Sequence, residues 1–178
     1  MKPLRYLVPC FLLSSCCSLN DDWYFRGDGT LRNRACWPFE NYVVDLGTID
    51  LTERTLQTRE FSGLPRMEWS VGFLIPRPMT DPVCPEIQKQ GWTTVVLEVD
   101  LSEVGGKAVF HHIAPLREWT WTYGGKGDDP ECQVYSRRSY FEPRDSFTRY
   151  RLSYRVVQPN SSSPTVRADM RTFAVYGP

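Results

Sequence analysis

Residues 67–75 have the sequence MEWSVGFLI and residues 147–157 have the sequence FTRYRLSYRVV, and these two stretches decide the fold. In the first stretch, apolar residues occupy every second position from Met67 to Ile75. In the second stretch, all three arginines occupy odd-numbered positions, and prolines flank the stretch on both sides. A period of two places alternate side chains on opposite faces of a β-strand. Both stretches therefore predict strands with one buried and one exposed face.

The same signal recurs along most of the chain. Shorter runs of this kind lie at residues 42–46, 92–99, 108–113, 119–123, 133–141 and 165–176. The 14 prolines and 12 glycines fall mostly between the runs, and no stretch of twelve residues has a sustained i, i+3, i+4 apolar pattern typical of a helix. We expect one all-β domain over residues 41–178, built as a single antiparallel β-sandwich of Ig-like or jelly-roll-like form.

The composition excludes several classes of protein. The 178 residues include 21 basic and 21 acidic side chains, so the chain lacks the basic excess that nucleic-acid binding requires. A content of 41% hydrophobic and 13% aromatic residues is too high for a disordered chain. A mean hydropathy of −0.41 excludes a protein with many membrane spans. The length fits a single domain.

The N-terminus has the features of an export signal. Lys2 and Arg5 precede a short apolar run over residues 6–13, and small residues follow it. A membrane-spanning helix needs about 20 apolar residues, so this run is too short to span a bilayer. We therefore expect a signal peptide over residues 1–15, followed by a linker or irregular segment over residues 16–40.

The end of this segment, Leu13-Ser14-Ser15-Cys16, resembles the lipobox of bacterial lipoproteins. In that family the cysteine thiol is diacylated, signal peptidase II cuts before it, and the new N-terminus is usually acylated, typically with palmitate. The resemblance implies lipidation at Cys16. It also implies the outer membrane, on the periplasmic side, because Cys17 rather than an aspartate follows. Cys17 is a poorer lipidation candidate, and the alternatives are an ordinary cleaved signal or a buried N-terminal helix.

Four cysteines remain if Cys10 leaves with the signal and Cys16 is lipidated. They are Cys17, Cys36, Cys84 and Cys132. The cell envelope is oxidising, and an even number of cysteines favours disulfides there. Cys84 and Cys132 both lie in loop-like surroundings that contain proline, so we favour that pair. Cys17–Cys36 would be the remaining pair, although three pairings are open.

No sequence motif typical of a catalytic, cofactor or metal site is present. The chain has no GxSxG, HExxH, Walker or GxGxxG motif, and it has no CxxC or HxxxH spacing. His111 and His112 are adjacent, so on a strand they would point to opposite faces and could not easily share one ion. Asp128 and Asp129 lack the spacing of an EF-hand loop. We expect a protein without enzymatic activity, cofactor or metal.

Trp119, Trp121 and Tyr123 alternate with threonines and would share one face of a strand. Three aromatic rings in a row could form a flat platform that stacks on sugar rings or anchors a protein partner. The alternative, which we favour, is that these rings face the core, because a small all-β domain must bury its large aromatic side chains.

Arg149, Arg151 and Arg155 have the same strand parity and would line one exposed face. In a chain without net charge, they would form a local positive stripe able to contact an acidic partner or anionic lipid. The alternative, which we favour, is a solvated face whose arginines pair with Glu142 and Asp145.

The end of the chain resembles the last hairpin of Ig-like or jelly-roll domains, as found in small bacterial lipoproteins. Residues 151–157 and 172–176 would be its strands, joined by a Ser/Pro loop. With the lipobox, this resemblance implies a non-enzymatic protein-binding module anchored to the envelope, such as an immunity or accessory lipoprotein. The alternative is a carbohydrate or cell-wall binding module that uses the aromatic platform. The expected partners are the membrane, through the lipid, and a protein of the envelope or periplasm, but no nucleic acid.

Overall fold

The computed structural model describes residues 25–33, 42–76, 84–123 and 131–172. Two antiparallel sheets enclose one hydrophobic core, so the chain is an all-β sandwich, as the alternation predicted. The strands are β1 (Arg26–Gly27), β2 (Thr30–Asn33), β3 (Tyr42–Asp50), β4 (Leu56–Ser62), β5 (Trp69–Pro76), β6 (Val96–Glu103), β7 (Ala108–Pro115), β8 (Thr120–Tyr123), β9 (Glu131–Phe141), β10 (Tyr150–Gln158) and β11 (Thr165–Thr172). One short helix, α1 (Cys84–Gln88), precedes β6.

The chain crosses repeatedly between the two sheets. The five-stranded sheet has the order β1-β4-β10-β6-β7, and the six-stranded sheet has the order β2-β3-β11-β5-β9-β8. β10 pairs with β4 and β6, whereas β11 pairs with β3 and β5. The expected final hairpin is therefore wrong, because both strands already have two neighbours and lie in different sheets. The Ser/Pro loop connects the sheets instead.

The core follows the alternation that the sequence predicted. In β10, the buried side chains are Tyr150, Leu152, Tyr154 and Val156. Phe73 of β5 packs against Tyr154 from the opposite sheet, with ring centroids 5.9 Å apart. Each large apolar side chain buried in this way stabilises the fold by about 1.5–3 kcal/mol.

β4 is a strand that the sequence pattern did not reveal. Its sequence, LQTREFS, has only Leu56 and Phe61 as apolar residues, so it lacks the alternation that marks the other strands. Phe61 is buried and Leu56 is exposed. β4 nevertheless pairs with both β1 and β10, so it is a full member of the five-stranded sheet.

Polar side chains of β4 join the two sheets at this side of the sandwich. Arg59 donates from Nε to the carbonyl oxygen of Leu46 at 3.0 Å, and Gln57 donates from Nε2 to that of Thr48 at 3.1 Å. Gly47 lies between these acceptors with a φ of 91°, where the register between β3 and β11 shifts. A glycine at positive φ is common in such bulges. The bulge thus presents two β3 carbonyl groups to the other sheet.

Two further segments differ from the sequence prediction. Residues 92–94, expected to begin a strand, belong to a 3-10 turn over Gly91–Thr94. The Thr93 hydroxyl bonds to the carbonyl oxygens of Gln88 and Gln90 at 2.8 and 2.6 Å, and these local bonds stabilise the turn. β1 and β2 lie within the segment expected to be a linker, and they pair with β4 and β3 respectively.

A disulfide joins Cys84, at the start of α1, to Cys132 in β9, with a Cα–Cα distance of 5.6 Å. Both cysteines are fully buried. The favoured cysteine pair is therefore confirmed. The possible pair Cys17–Cys36 lies outside the described residues. The bond ties the segment that precedes β6 to the strand that pairs with β5.

We expect the double variant Cys84→Ala, Cys132→Ala to unfold more readily than the wild type. The bond closes a loop of 48 residues, and the loss of that constraint should lower the free energy of unfolding by about 2–4 kcal/mol. Urea unfolding followed by tryptophan fluorescence measures the difference. The two proteins should become similar when both are refolded in reductant, and an equal stability under oxidising conditions would contradict the prediction.

Candidate functional site

The outer face of the five-stranded sheet is exposed and rich in charge, and we call it the charged face. Side chains there alternate with the core residues of β4, β10, β6 and β7. In cross-strand register, Arg151 lies opposite Glu60, Arg155 opposite Glu98, and Asp100 opposite His111. The charged face consists of Thr58, Glu60, Glu98, Asp100, His111, Arg149, Arg151, Ser153 and Arg155.

Glu60 accepts hydrogen bonds from two of the three arginines that were predicted to form the positive stripe. Arg149 donates from Nη2 to Oε2 of Glu60 at 2.9 Å, and Arg151 donates from Nε and Nη2 to Oε1 at 2.9 and 2.7 Å. The hydrogen bond from Arg151 lowers the pKa of Glu60, and the positive charges of both arginines lower it further. Glu60 therefore stays ionised, and one carboxylate serves two guanidinium groups.

These partners differ from the ones that the sequence suggested. Glu142 lies 3.8 Å from Arg66, while Asp145 accepts hydrogen bonds from the backbone of Phe147 and from Thr148. The expected pairing of the arginine stripe with Glu142 and Asp145 is therefore wrong among the contacts described. The reason is that the neighbours of β10 are set by strand order rather than by proximity in sequence.

A second group of charges lies across β10, β6 and β7. Nε of Arg155 is 3.5 Å from Oε2 of Glu98, and Nδ1 of His111 is 2.5 Å from Oδ1 of Asp100. The hydrogen bond with Asp100 raises the pKa of His111, and the negative charges of Asp100 and Glu98 add to this effect. Glu98 and Asp100 were not among the predicted site residues. Their alternation with Val99 in a predicted strand was the available signal.

Apolar side chains flank the charged face on both sides. Leu56 of β4 is 60% exposed and lies opposite Arg155 in register, while Ile113 of β7 is 49% exposed and lies opposite Glu98. One cross-strand row therefore contains Leu56, Arg155, Glu98 and Ile113. An open cleft of about 430 Å³ adjoins it, lined by Arg54, Leu56, Arg155 and their neighbours. Exposed apolar and charged groups thus lie together on one surface.

The aromatic stripe does not form an exposed platform. Trp119 is only 3% exposed and packs against Phe73 in the core, with ring centroids 5.3 Å apart. Trp121 is half-buried and donates from Nε1 to the carbonyl oxygen of Leu116 at 3.0 Å. The side chain of Tyr123 lies outside the described residues. The placement of Trp119 and Trp121 agrees with the core interpretation that we favoured.

His112 points away from the charged face, as adjacent residues on a strand should. Its ring is half-buried beside Trp119, with centroids 5.0 Å apart, at the edge of a cleft of about 310 Å³. Burial lowers the pKa of His112, and the positive charge of Arg138 lowers it further, whereas Glu118 acts in the opposite direction. The cleft also contains Arg137, so its charges are mixed and select no particular ligand.

The remaining predicted site residues lie outside the described residues. They are Cys16, Cys17 and Cys36, together with the whole predicted signal peptide.

No protein-family model matches the chain, and no curated protein matches it either. Within the described ranges, none of the helices has the length and apolar character needed to cross a bilayer.

We expect the two adjacent histidines to titrate on opposite sides of the ordinary histidine pKa. His111 should have the higher midpoint, so the stabilisation that its protonated form provides is present at low pH and is lost as the pH rises through its folded pKa. NMR titration of the two imidazole rings measures both midpoints. Asp100→Asn should lower the midpoint of His111 and leave that of His112 nearly unchanged. Equal midpoints in the wild type would contradict the described geometry.

Proposed function

We propose that this chain is a lipid-anchored cell-envelope protein that acts as a non-enzymatic protein-binding module. The observation that supports the proposal best is the charged face, where Arg151 and Arg155 are exposed on β10 and Arg149 is exposed directly before that strand. A sheet face is a rigid support, so a bound partner meets side chains whose positions are already set. Arginine is enriched in protein interfaces, where its planar group can make several hydrogen bonds at once.

The pair of arginines on Glu60 favours a partner that offers carboxylates. Two guanidinium groups share one carboxylate, which leaves an excess positive charge at this end of the face. The hydrogen bonds to Glu60 also restrict Arg149 and Arg151 before binding, so less side-chain entropy is lost when a partner docks. An acidic protein surface would satisfy the N–H donors that Glu60 does not use.

The exposed apolar side chains beside the charges support a protein partner over a soluble anion. Leu56 and Ile113 would both lose water contact under a partner that covers the face. Burial of apolar surface contributes about 25 cal/mol per Å². The alternative of a carbohydrate module loses its support, because Trp119 is buried and Trp121 is half-buried.

The contribution of the arginines can be tested by site-specific photocrosslinking in the cells that produce the chain. A photoreactive amino acid at Ser153, between Arg151 and Arg155, should give one defined adduct. Arg149→Glu with Arg151→Glu should weaken the interaction by at least about tenfold, because carboxylates would then face carboxylates. Rising salt should weaken the wild-type interaction in the same direction.

Arg32 provides the matched control, because it is exposed on β2 in the other sheet. A photoreactive group at Arg32 should give no such adduct, and Arg32→Glu should leave the Ser153 adduct intact. Adduct formation that is unchanged in the double arginine variant would refute the docking role of the arginines.

The anchor is tested independently by metabolic labelling with radioactive palmitate. The thiol of Cys16 is the proposed attachment point, so Cys16→Ala should abolish the label and leave an unprocessed or unanchored product. Cys17→Ala is the matched control, because it removes the adjacent thiol and should keep the label. Label retained in Cys16→Ala would show that the proposed lipid site is incorrect.

A further inference from the structure

Three potential metal ligands converge on the charged face. Glu98, Asp100 and His111 each offer one ligand atom, and these atoms all lie within 4.8 Å of one another. The group provides two carboxylate oxygens and one imidazole nitrogen. Two carboxylates carry the charge that balances a divalent cation, and imidazole favours first-row transition metals over Ca²⁺ or Mg²⁺.

The arrangement is built by paired strands rather than by a loop. Glu98 and Asp100 are two residues apart on β6 and so share its outer face. His111 lies directly opposite Asp100 on β7. β6 is held on both sides, by β10 and by β7, so its two carboxylates start from a fixed backbone. Ligands on rigid elements are held more accurately than ligands on loops.

We propose that Glu98, Asp100 and His111 form a three-ligand site for Zn²⁺ on the outer face of the sheet. The proposal goes beyond the protein-binding function and does not depend on it. The ion would replace the proton that His111 Nδ1 and Asp100 Oδ1 share, and water would fill the fourth position. The group has no recognisable ligand spacing in the sequence, because its members come from two strands.

The side-chain movements required are small. Zinc–nitrogen and zinc–oxygen bonds of about 2.0–2.2 Å place neighbouring tetrahedral ligands about 3.3 Å apart. Nδ1 of His111 and Oδ1 of Asp100 are 2.5 Å apart, so they must separate by about 1 Å to admit the ion. Glu98 must approach by at most about 1.5 Å, which its flexible side chain allows.

Arg155 is the competitor of the ion. Its Nε lies 3.5 Å from Oε2 of Glu98. The guanidinium group is therefore paired with one of the proposed ligands, and its positive charge also repels a cation. Removal of Arg155 should therefore strengthen zinc binding. The expected gain is about two- to fivefold, the range that corresponds to one exposed ion pair.

Isothermal titration with ZnCl₂ tests the proposal on the full, untagged chain in detergent after alkylation of the free thiols. We expect one bound equivalent in the wild type and at least about tenfold weaker binding in His111→Ala. His112→Gln is the matched control, because the His112 ring lies on the other side of the strand, beside Trp119. This variant should bind zinc with the same affinity as the wild type. Arg155→Ala should bind more tightly.

Three results would overturn the proposal. They are the absence of zinc binding in the wild type, equal affinity in His111→Ala and the wild type, and Ca²⁺ binding as tight as Zn²⁺ binding. The last result would mean that carboxylates alone attract the ion. Circular dichroism of each variant checks that the fold is retained, and NMR of the wild type should show zinc-induced shifts centred on Glu98, Asp100 and His111.

Discussion

The register of β10 between β4 and β6 is the constraint on which the rest of the structure depends. In this register Leu152 and Tyr154 lie in the core, while Arg151 and Arg155 lie on the outer face. A slip by one residue would exchange the two faces and bring both guanidinium groups into the core. Burial of an unpaired ion costs several kcal/mol, so the slipped arrangement is strongly disfavoured. One energetic requirement therefore fixes both the core and the charged face.

The alternation of apolar residues was enough to predict strands such as β5 and β10, in which that alternation is clear, but it was not enough to predict β4. Gln57 and Arg59 of β4 bond to carbonyl oxygens of β3 in the other sheet, so polar groups occupy positions where the pattern requires apolar ones. Strand order is a second non-local property. A loop rich in serine and proline suits both a hairpin and a crossover between sheets, so the sequence could not exclude the hairpin between β10 and β11.

The same limit applies to the charged face. Strand parity was enough to predict that Arg149, Arg151 and Arg155 share one side, because parity is a property of a single strand. Their partners were not predictable in this way. Glu60 is 89 residues from Arg149 along the chain and becomes its neighbour only because β4 pairs with β10. For Trp119, parity likewise defined a shared face but did not say whether that face was the core.

The proposed anchor would also limit the distance between the charged face and the membrane. Ten residue steps separate Cys16 from Arg26, so a lipid on Cys16 would hold the start of β1 within about 35 Å of the bilayer surface. β1 is the edge of the five-stranded sheet, and β10 is two strand spacings away, or about 10 Å. β7, with His111, is four spacings away, or about 19 Å. The arginines would then lie on the tethered side of the face and the proposed zinc ligands on the far side. A partner that covers both groups would have to bind within about 55 Å of the bilayer surface, because the tether and the width of the sheet together span no more than that.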